Sequence, residues 1–341
     1  MWNNINIESN ANIHRAVHRL ADEATTAYED ARDAVKDYLN AEFREEVIFT
    51  SGTTASINLV ADCFGEAFVG AGDEVIVTEA EHHSNIVPWQ MMCRRKGAVL
   101  KVLPVDDNGY LMVDRLDDIL SEKTRIMALT HISNVLGIIN PVKEIIAKCH
   151  SKGVPVLVDG AQGIVHCEVD VQDLDCDFYA FSGHKLYAAT GTGVLYGKKK
   201  WLEQMPPYMG GGEMVGTVTF EETTYAPLPM KFEAGTQNFT SIATLKPAIE
   251  FVKFLNNKCL VDYNESIRDY ILTELLNDDR IRLYGVPHGT KDNKIPLFSF
   301  SVKGVHHEDL ALILDKMGIA VRSGQMCAEP LMNRIGVTGM L

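Results

Sequence analysis

No stretch of this 341-residue chain is apolar for long enough to span a membrane. The opening MWNNINIESN lacks the charged-then-apolar layout of a signal peptide. Positive charge is scarce: 32 Lys and Arg face 46 Asp and Glu, a net charge of −14, which suits neither nucleic acid nor an anionic lipid surface. Lys198, Lys199 and Lys200 stand together and read as a solvated turn rather than a phosphate track. The seven cysteines are odd in number and none forms a C-x-x-C pair. That fits free thiols in a reducing compartment better than a disulfide framework, so a cytoplasmic location is expected. The G-K-S/T ending of a Walker loop is absent, and so are internal repeats and low-complexity tracts.

What is present is apolar periodicity. Val17, Leu20, Ala24, Ala31, Val35, Tyr38 and Leu39 predict a helix over 14–39. Strands read at EVIFT, DEVIVTE, AVLKVLPV, RIMALTH, VPVLVDG, CDFYAFS and GVLYGKK, with helices at ASINLVADCF, IVPWQMMCRRK and PVKEIIAKCHSK. Continuous apolar strands alternating with helices predict an α/β fold, a mostly parallel sheet with helices on both faces. Beyond about residue 240 the pattern changes. SIATLKPAIEFVKFL predicts one long helix, YNESIRDYILTELLN an amphipathic one, and PLFSFSV, EDLALILDKM and IAVRS a strand, a helix and a strand. The expected division is a large domain over 1–254 and a smaller α+β domain over 255–341.

Chemistry concentrates where strands end. FYAFSGHKLY runs a buried strand into Lys185, and a lysine is seldom buried unless paired or working. VPVLVDGAQ ends in Asp159, and ligands of open parallel sheets sit beyond the strands' carboxyl ends. A lysine able to form a Schiff base and an acid able to pair with a ring nitrogen are the protein side of pyridoxal-phosphate chemistry. FTSGTTAS, a strand, a glycine turn with hydroxyls and a helix start, suits a phosphate, although an ordinary N-cap box explains it as well. Ser182 and His184, flanking the lysine, offer further donors. EAEHHSNIVPW puts two histidines and Asn85 after another strand, where a histidine can cover a flat cofactor or serve as a structural donor. RSGQMCAEP holds Cys327 near Arg322, and a nearby cation favours a thiolate. Cys63, Cys93 and Cys149, on predicted helices, read as small buried hydrophobes. His166, Cys167 and Cys176 do not have zinc spacing, and no metal is expected.

Taken together, NIHRAVHRL, TSGTTASINLVA, EAEHHSNIVPWQ, THISNVLG, VLVDGAQ, DFYAFSGHKLY, GGGEM, FEAGTQN and AVRSGQMCAEPLM resemble the class V aminotransferase-like, fold type I pyridoxal-phosphate enzymes. More narrowly they resemble the group II cysteine desulfurases of the sulfur-mobilisation type. The resemblance implies that Lys185 holds pyridoxal 5'-phosphate as a Schiff base and that Asp159 keeps its ring nitrogen protonated. His82 would stack on the ring and Gln162 would bond its phenolic oxygen. Thr54, Ser182 and His184 would hold the phosphate, with Thr236 reaching in from a second copy of the chain. Asn134 would orient the substrate carboxylate, Arg322 would support nearby anions, and Cys327 would take sulfur from L-cysteine as a persulfide, releasing alanine. A homodimer, a persulfide-acceptor protein and a role in iron–sulfur cluster assembly are implied as well.

The chain departs from the family pattern at its ends. It begins almost on NIHRAVH, where the family has a preceding strand and helix, and it stops at IGVTGML, before a helix that carries an arginine for the substrate carboxylate. YAATGTG stands where Gly-Pro is common, and GQM before Cys327 where histidine is common. The expectation is a chain truncated at both ends that binds cofactor but turns over L-cysteine weakly, with Leu310, Leu312 and Leu314 partly uncovered. Selenocysteine lyase or another β-eliminating class V enzyme is one alternative. A non-catalytic protein of the same fold is the other.

Overall fold

The computed structural model describes residues 6–8, 10–14, 17–256, 258–286 and 293–341. Its centre is a seven-stranded sheet: β1 (Val47–Thr50), β2 (Glu74–Thr78), β3 (Val99–Leu103), β4 (Thr124–Thr130), β5 (Val156–Asp159), β6 (Phe178–Ser182) and β7 (Gly193–Gly197). The strand order is β1-β7-β6-β5-β4-β2-β3. Five neighbouring strands, β6 to β3, run parallel, and β7 is antiparallel to both β6 and β1. The carboxyl ends of β1, β2, β4, β5 and β6 therefore share one edge.

Side chains alternate between faces along a strand, so two cores form. Met127, Leu129, Val156, Val158, Tyr179 and Phe181 pack on one face with Tyr28, Ala31 and Val35 of the helix Arg19–Leu39. Ile126, Ala128, Leu157, Phe178 and Ala180 pack on the other with Ile57, Phe64, Trp89 and Met92 of the helices Thr53–Phe68 and Val87–Lys96. Double coverage is why these strands are apolar at nearly every position.

One buried ion pair ties the sheet's edge to its surroundings. The Arg32 guanidinium donates to both oxygens of Glu233 at 2.8 and 2.9 Å and to the Val47 carbonyl at 2.7 Å. Glu233 also accepts from Tyr28 Oη and from the Phe49 N–H, each at 2.8 Å. Burial opposes the charge on Arg32, but Glu233 outweighs it and raises the arginine's pKa. The contact joins the first long helix, β1 and the FEAGTQN segment.

Beyond residue 255 come the helix Lys258–Leu276, an antiparallel pair β10 (Ile281–Tyr284) and β11 (Ser299–Val302), and the helices His307–Lys316 and Glu329–Ile335. An exposed hairpin, β8 (Val215–Val218) and β9 (Thr223–Tyr225), precedes them. Met326, Ala328, Leu331 and Met332 return to the core against the large sheet. In the helix His307–Lys316 no residue is buried, and Leu312 and Ile313 are exposed.

Four sequence readings need correction. The helix predicted over 14–39 begins at Arg19 and Val17 is fully exposed, while Arg15 and Ala16 lie outside the described residues. The single helix expected at SIATLKPAIEFVKFL is two, Phe239–Ile242 and Leu245–Leu255. Pro247 has no N–H to bond to the Ala243 carbonyl, and Thr244 Oγ1 accepts the Ala189 N–H at 3.0 Å. IAVRS is not a strand. The place beside β11 is taken by Leu341, whose N–H and carbonyl pair with Phe300. Lys198–Lys200 is not a solvated turn: Lys199 begins a helix, and Lys198 Nζ bonds the Asp175 carbonyl at 2.9 Å.

Candidate active site

Five strand ends converge on one cleft of about 200 Å³, lined by Thr53, Thr54, His82, Ser84, Thr130, Ile132, Asn134, Asp159, Ala161, Gln162, Ser182, His184 and Lys185. Seven of the residues singled out in the sequence as touching cofactor from within the chain are among them, together with Asn134.

At one end, β1 turns at Gly52, whose φ of 153° suits glycine, into the helix Thr53–Phe68. Gly52 offers no side-chain cap, so the N-cap box considered for SGTT does not form. Instead the Thr53 N–H and Oγ1 both meet Ser182 Oγ at 2.8 Å. A Cβ on Gly193, at the start of β7, would come within 2.3 Å of Gly52 Cα, so only glycine lets β7 close on this turn. Helix N–H groups, the helix dipole, the hydroxyls of Thr53 and Thr54 on the helix and that of Ser182 at the end of β6 make an anion cradle. Thr53 contributes as directly as Thr54 and was not anticipated.

At the other end, Asp159 closes β5, buried, with the Ala161 N–H donating to it at 2.9 Å. Burial raises its pKa, opposed by that N–H and by the charge of Lys185. Lys185 sits half-buried on the short turn Gly183–Leu186 after β6. Burial lowers its pKa, Asp159 resists, and Arg322 adds to the lowering, so a larger share is the neutral, nucleophilic amine. Above them His82 Nδ1 is held by Ser84, whose Oγ is 2.8 Å away and whose N–H donates at 3.0 Å. Burial, then the charges of Lys185, His83 and Arg322, push His82 down to about 4. At neutral pH it is an uncharged ring.

Beneath the cleft lies Glu81, fully buried. It accepts from Thr78 Oγ1 at 2.5 Å, the Thr130 N–H at 2.9 Å and Asn85 Nδ2 at 2.7 Å, so it joins the ends of β2 and β4. Burial pushes its carboxyl up to about 8, with the charge of Asp159 adding to the rise against these donors. Sequence reasoning passed over it because Glu79, two residues earlier, looks the same on paper. Glu79 instead caps the Val105 N–H at the rim.

Cys327 lies outside the cleft lining but is held against it. Asn134 Nδ2 donates to the Met326 carbonyl at 2.8 Å, and Arg322 Nη2 meets Cys327 Sγ at 3.5 Å. Asn134, expected to face a substrate carboxylate, here grips the cysteine loop. Thr236 is exposed and does not line the cleft, while Gln237 and Asn238 line an adjoining apolar cavity behind Thr50 and Ser51. Cys63, Cys93 and Cys149 are buried, and burial raises their thiols to about 12, 11 and 12. Among the described residues no cluster of His, Cys, Asp and Glu could hold a metal ion, and no helix is long and apolar enough to cross a membrane.

The donor set fits pyridoxal phosphate: an anion cradle at one end, a buried acid at the other, an amine between them and an uncharged ring above. The mostly parallel sheet flanked by helices matches the fold of fold type I pyridoxal-phosphate enzymes. The aminotransferase class-V family model matches residues 3–341, and the chain belongs to that family. It is 46% identical over 331 residues to a cysteine desulfurase of Cronobacter sakazakii, covering 97% of this chain and 80% of that protein. It is 48% identical to a cysteine desulfurase of Enterobacter sp. strain 638, covering 94% and 78%. The structure of the cysteine desulfurase CsdA from Escherichia coli, in its S-sulfonic acid form, superposes with a TM-score of 0.90 at 40% identity, over all of this chain and 84% of that one. The apo cysteine desulfurase of Thermococcus onnurineus NA1 gives 0.93 at 35%, over 99% and 84%.

Proposed function

We propose that this chain is a pyridoxal-phosphate-dependent cysteine desulfurase that moves the sulfur of L-cysteine onto Cys327 and releases L-alanine. The observation that carries the reading is the docking of the Cys327 loop, through Asn134, onto the cleft that holds Lys185 and Asp159. A plain transaminase has no use for a thiol there.

In this reading Lys185 holds the cofactor and later moves protons, as its lowered pKa favours. Asp159 pairs with the ring nitrogen, whose positive charge offsets the burial of the carboxylate. His82 covers the ring face, and Gln162 bonds the phenolic oxygen. Thr53, Thr54, Ser182 and His184 hold the phosphate, with Thr236 contributed to the cleft of a second copy in a homodimer. Asn134 serves the substrate carboxylate with one amide N–H while the other holds the Met326 carbonyl. When bound, the cofactor supplies an electron sink that labilises the substrate's bonds next to its amine.

Sulfur transfer is then the work of Cys327. Its thiolate attacks the substrate's sulfur, an S–S bond forms and the C–S bond breaks. The electron pair stays with carbon, which takes up a proton and becomes the methyl group of alanine. Arg322 faces the negative charge of the attacking sulfur. The persulfide passes to an acceptor protein's thiol for iron–sulfur cluster assembly. Addition of L-cysteine to the purified holoprotein, with alanine and sulfide quantified, tests the proposal. One alanine per sulfur supports it, and pyruvate and ammonia in place of alanine would contradict it.

A further inference from the structure

The loop that carries Cys327 is fixed at both ends. Gly324 pairs with Met340 through N–H···O contacts of 3.0 and 3.2 Å, and the helix Glu329–Ile335 is sealed into the core by Leu331 and Met332. Between these anchors Met326 and Cys327 are both left-handed, with φ of 53° and 56°. Neither is glycine, and two consecutive left-handed L-residues persist only when their surroundings hold them. Their carbonyls show what does so. The Met326 carbonyl accepts from Asn134, and the Cys327 carbonyl accepts from the His83 N–H at 2.7 Å. The imidazole of His83 then reaches one step further: its Nε2 accepts the Glu329 N–H at 3.1 Å. One residue thus grips the loop at the reactive cysteine's own carbonyl and again two residues beyond it, while Asn134 holds the residue before it.

His83 is also the neighbour of His82. The turn His83–Asn85 after β2 therefore presents one imidazole to the cleft and the next to the nucleophile's loop. Its base is fastened in turn, since Asn85 donates to the buried Glu81.

We infer that His83 is a positioning residue for sulfur transfer, holding Cys327 in its strained conformation at a fixed distance from the cleft through the Nε2 contact with Glu329. The inference rests on the desulfurase reading above. It makes the cysteine loop a fixed arm, set by the same turn that carries the ring-covering histidine. Displacement of a reacting atom by about 1 Å lowers a rate by roughly a hundredfold, so loss of the clamp should act on transfer and not on binding.

The test uses the holoenzyme with His83→Ala, His83→Gln and, in parallel, Cys327→Ser. His83→Ala should keep the absorbance of the lysine-bound cofactor and a KM for L-cysteine within about twofold of the parent. Its kcat and its single-turnover persulfide yield rate should fall by roughly ten- to a hundredfold. His83→Gln, which keeps an acceptor in reach of the Glu329 N–H, should recover most of that loss. A purely structural residue would not split kcat from KM in this way. Three outcomes overturn the inference: kcat unchanged in His83→Ala, cofactor absorbance lost along with it, or no recovery in His83→Gln. Persulfide formation undiminished in Cys327→Ser would instead overturn the functional reading, and the loop's role with it.

Discussion

Replacing Glu81 by glutamine should flatten the pH dependence of folding stability. In the unfolded chain this carboxyl ionises near its ordinary value of 4.5, whereas in the folded protein burial pushes it up to about 8. Between those values the folded state keeps a proton that the unfolded state has lost. Raising the pH therefore costs stability, at about 1.4 kcal/mol per pH unit. The contribution is fully present below pH 4.5 and is lost as the pH rises through 8. From pH 5 to pH 8 one such group removes about 3–4 kcal/mol, and full burial leaves little solvent screening to reduce it. Glutamine resembles the neutral acid in shape and cannot ionise. Urea unfolding of the cofactor-free protein and of Glu81→Gln, at half-unit steps from pH 5 to 9 and constant salt, measures the gap directly. At pH 5 the variant should be the less stable by about 1–3 kcal/mol, because its amide NH2 faces the Asn85 amide that Glu81 accepts from, and it should gain on the parent as pH rises. Parallel curves would refute the reasoning, because all other titrating groups are shared. A gap that shrinks on cofactor addition would further show that the ring nitrogen's charge compensates Glu81 and Asp159 together.

Lys185→Ala should abolish borohydride-trappable attachment of pyridoxal phosphate, and an equal adduct on another lysine by mass spectrometry would move the anchor elsewhere. Asp159→Asn should reduce kcat far more than cofactor affinity, since an amide cannot hold the ring nitrogen's proton while the cradle of Thr53, Thr54 and Ser182 is untouched; steady-state rates and cofactor titration separate the two. Arg32→Met should destabilise the fold by about 3–5 kcal/mol in denaturant unfolding, because Glu233 is left buried and unpaired, and a loss below about 1 kcal/mol would mean the pair is not what holds the sheet's edge.

The sheet was legible because doubly covered strands leave continuous apolar runs, as in VLVD and FYAFS. Asp159 and Lys185 were legible as ionisable residues at the ends of such runs. Legibility failed where a contact distant in sequence decides. Glu79 and Glu81 differ only in which way β2's end turns, and the packing of Thr130 and Asn85 makes one of them the floor of the site. Pro247 did mark a helix break, but Thr244's bond to the loop after Lys185 fixes its position. IAVRS has the composition of a strand, yet it is Leu341 that pairs with Phe300 of β11. The left-handed pair Met326–Cys327 has no local signal beyond Gly324, because it is held by Asn134 and His83, reaching in from the turns after β4 and β2. Nothing in EHHSN alone says that its two histidines serve different partners.

The most direct test of the account is a single turnover of the holoprotein with one equivalent of L-cysteine, followed by acid quench, alkylation and peptide mass spectrometry. The account predicts one alanine per cofactor, with the substrate's sulfur on the peptide containing Cys327. In Cys327→Ser it predicts that sulfur is found on no peptide while the lysine-bound cofactor absorbance is retained. Sulfur on Cys93, Cys149 or any other cysteine, or alanine formed at the same rate without Cys327, would contradict it.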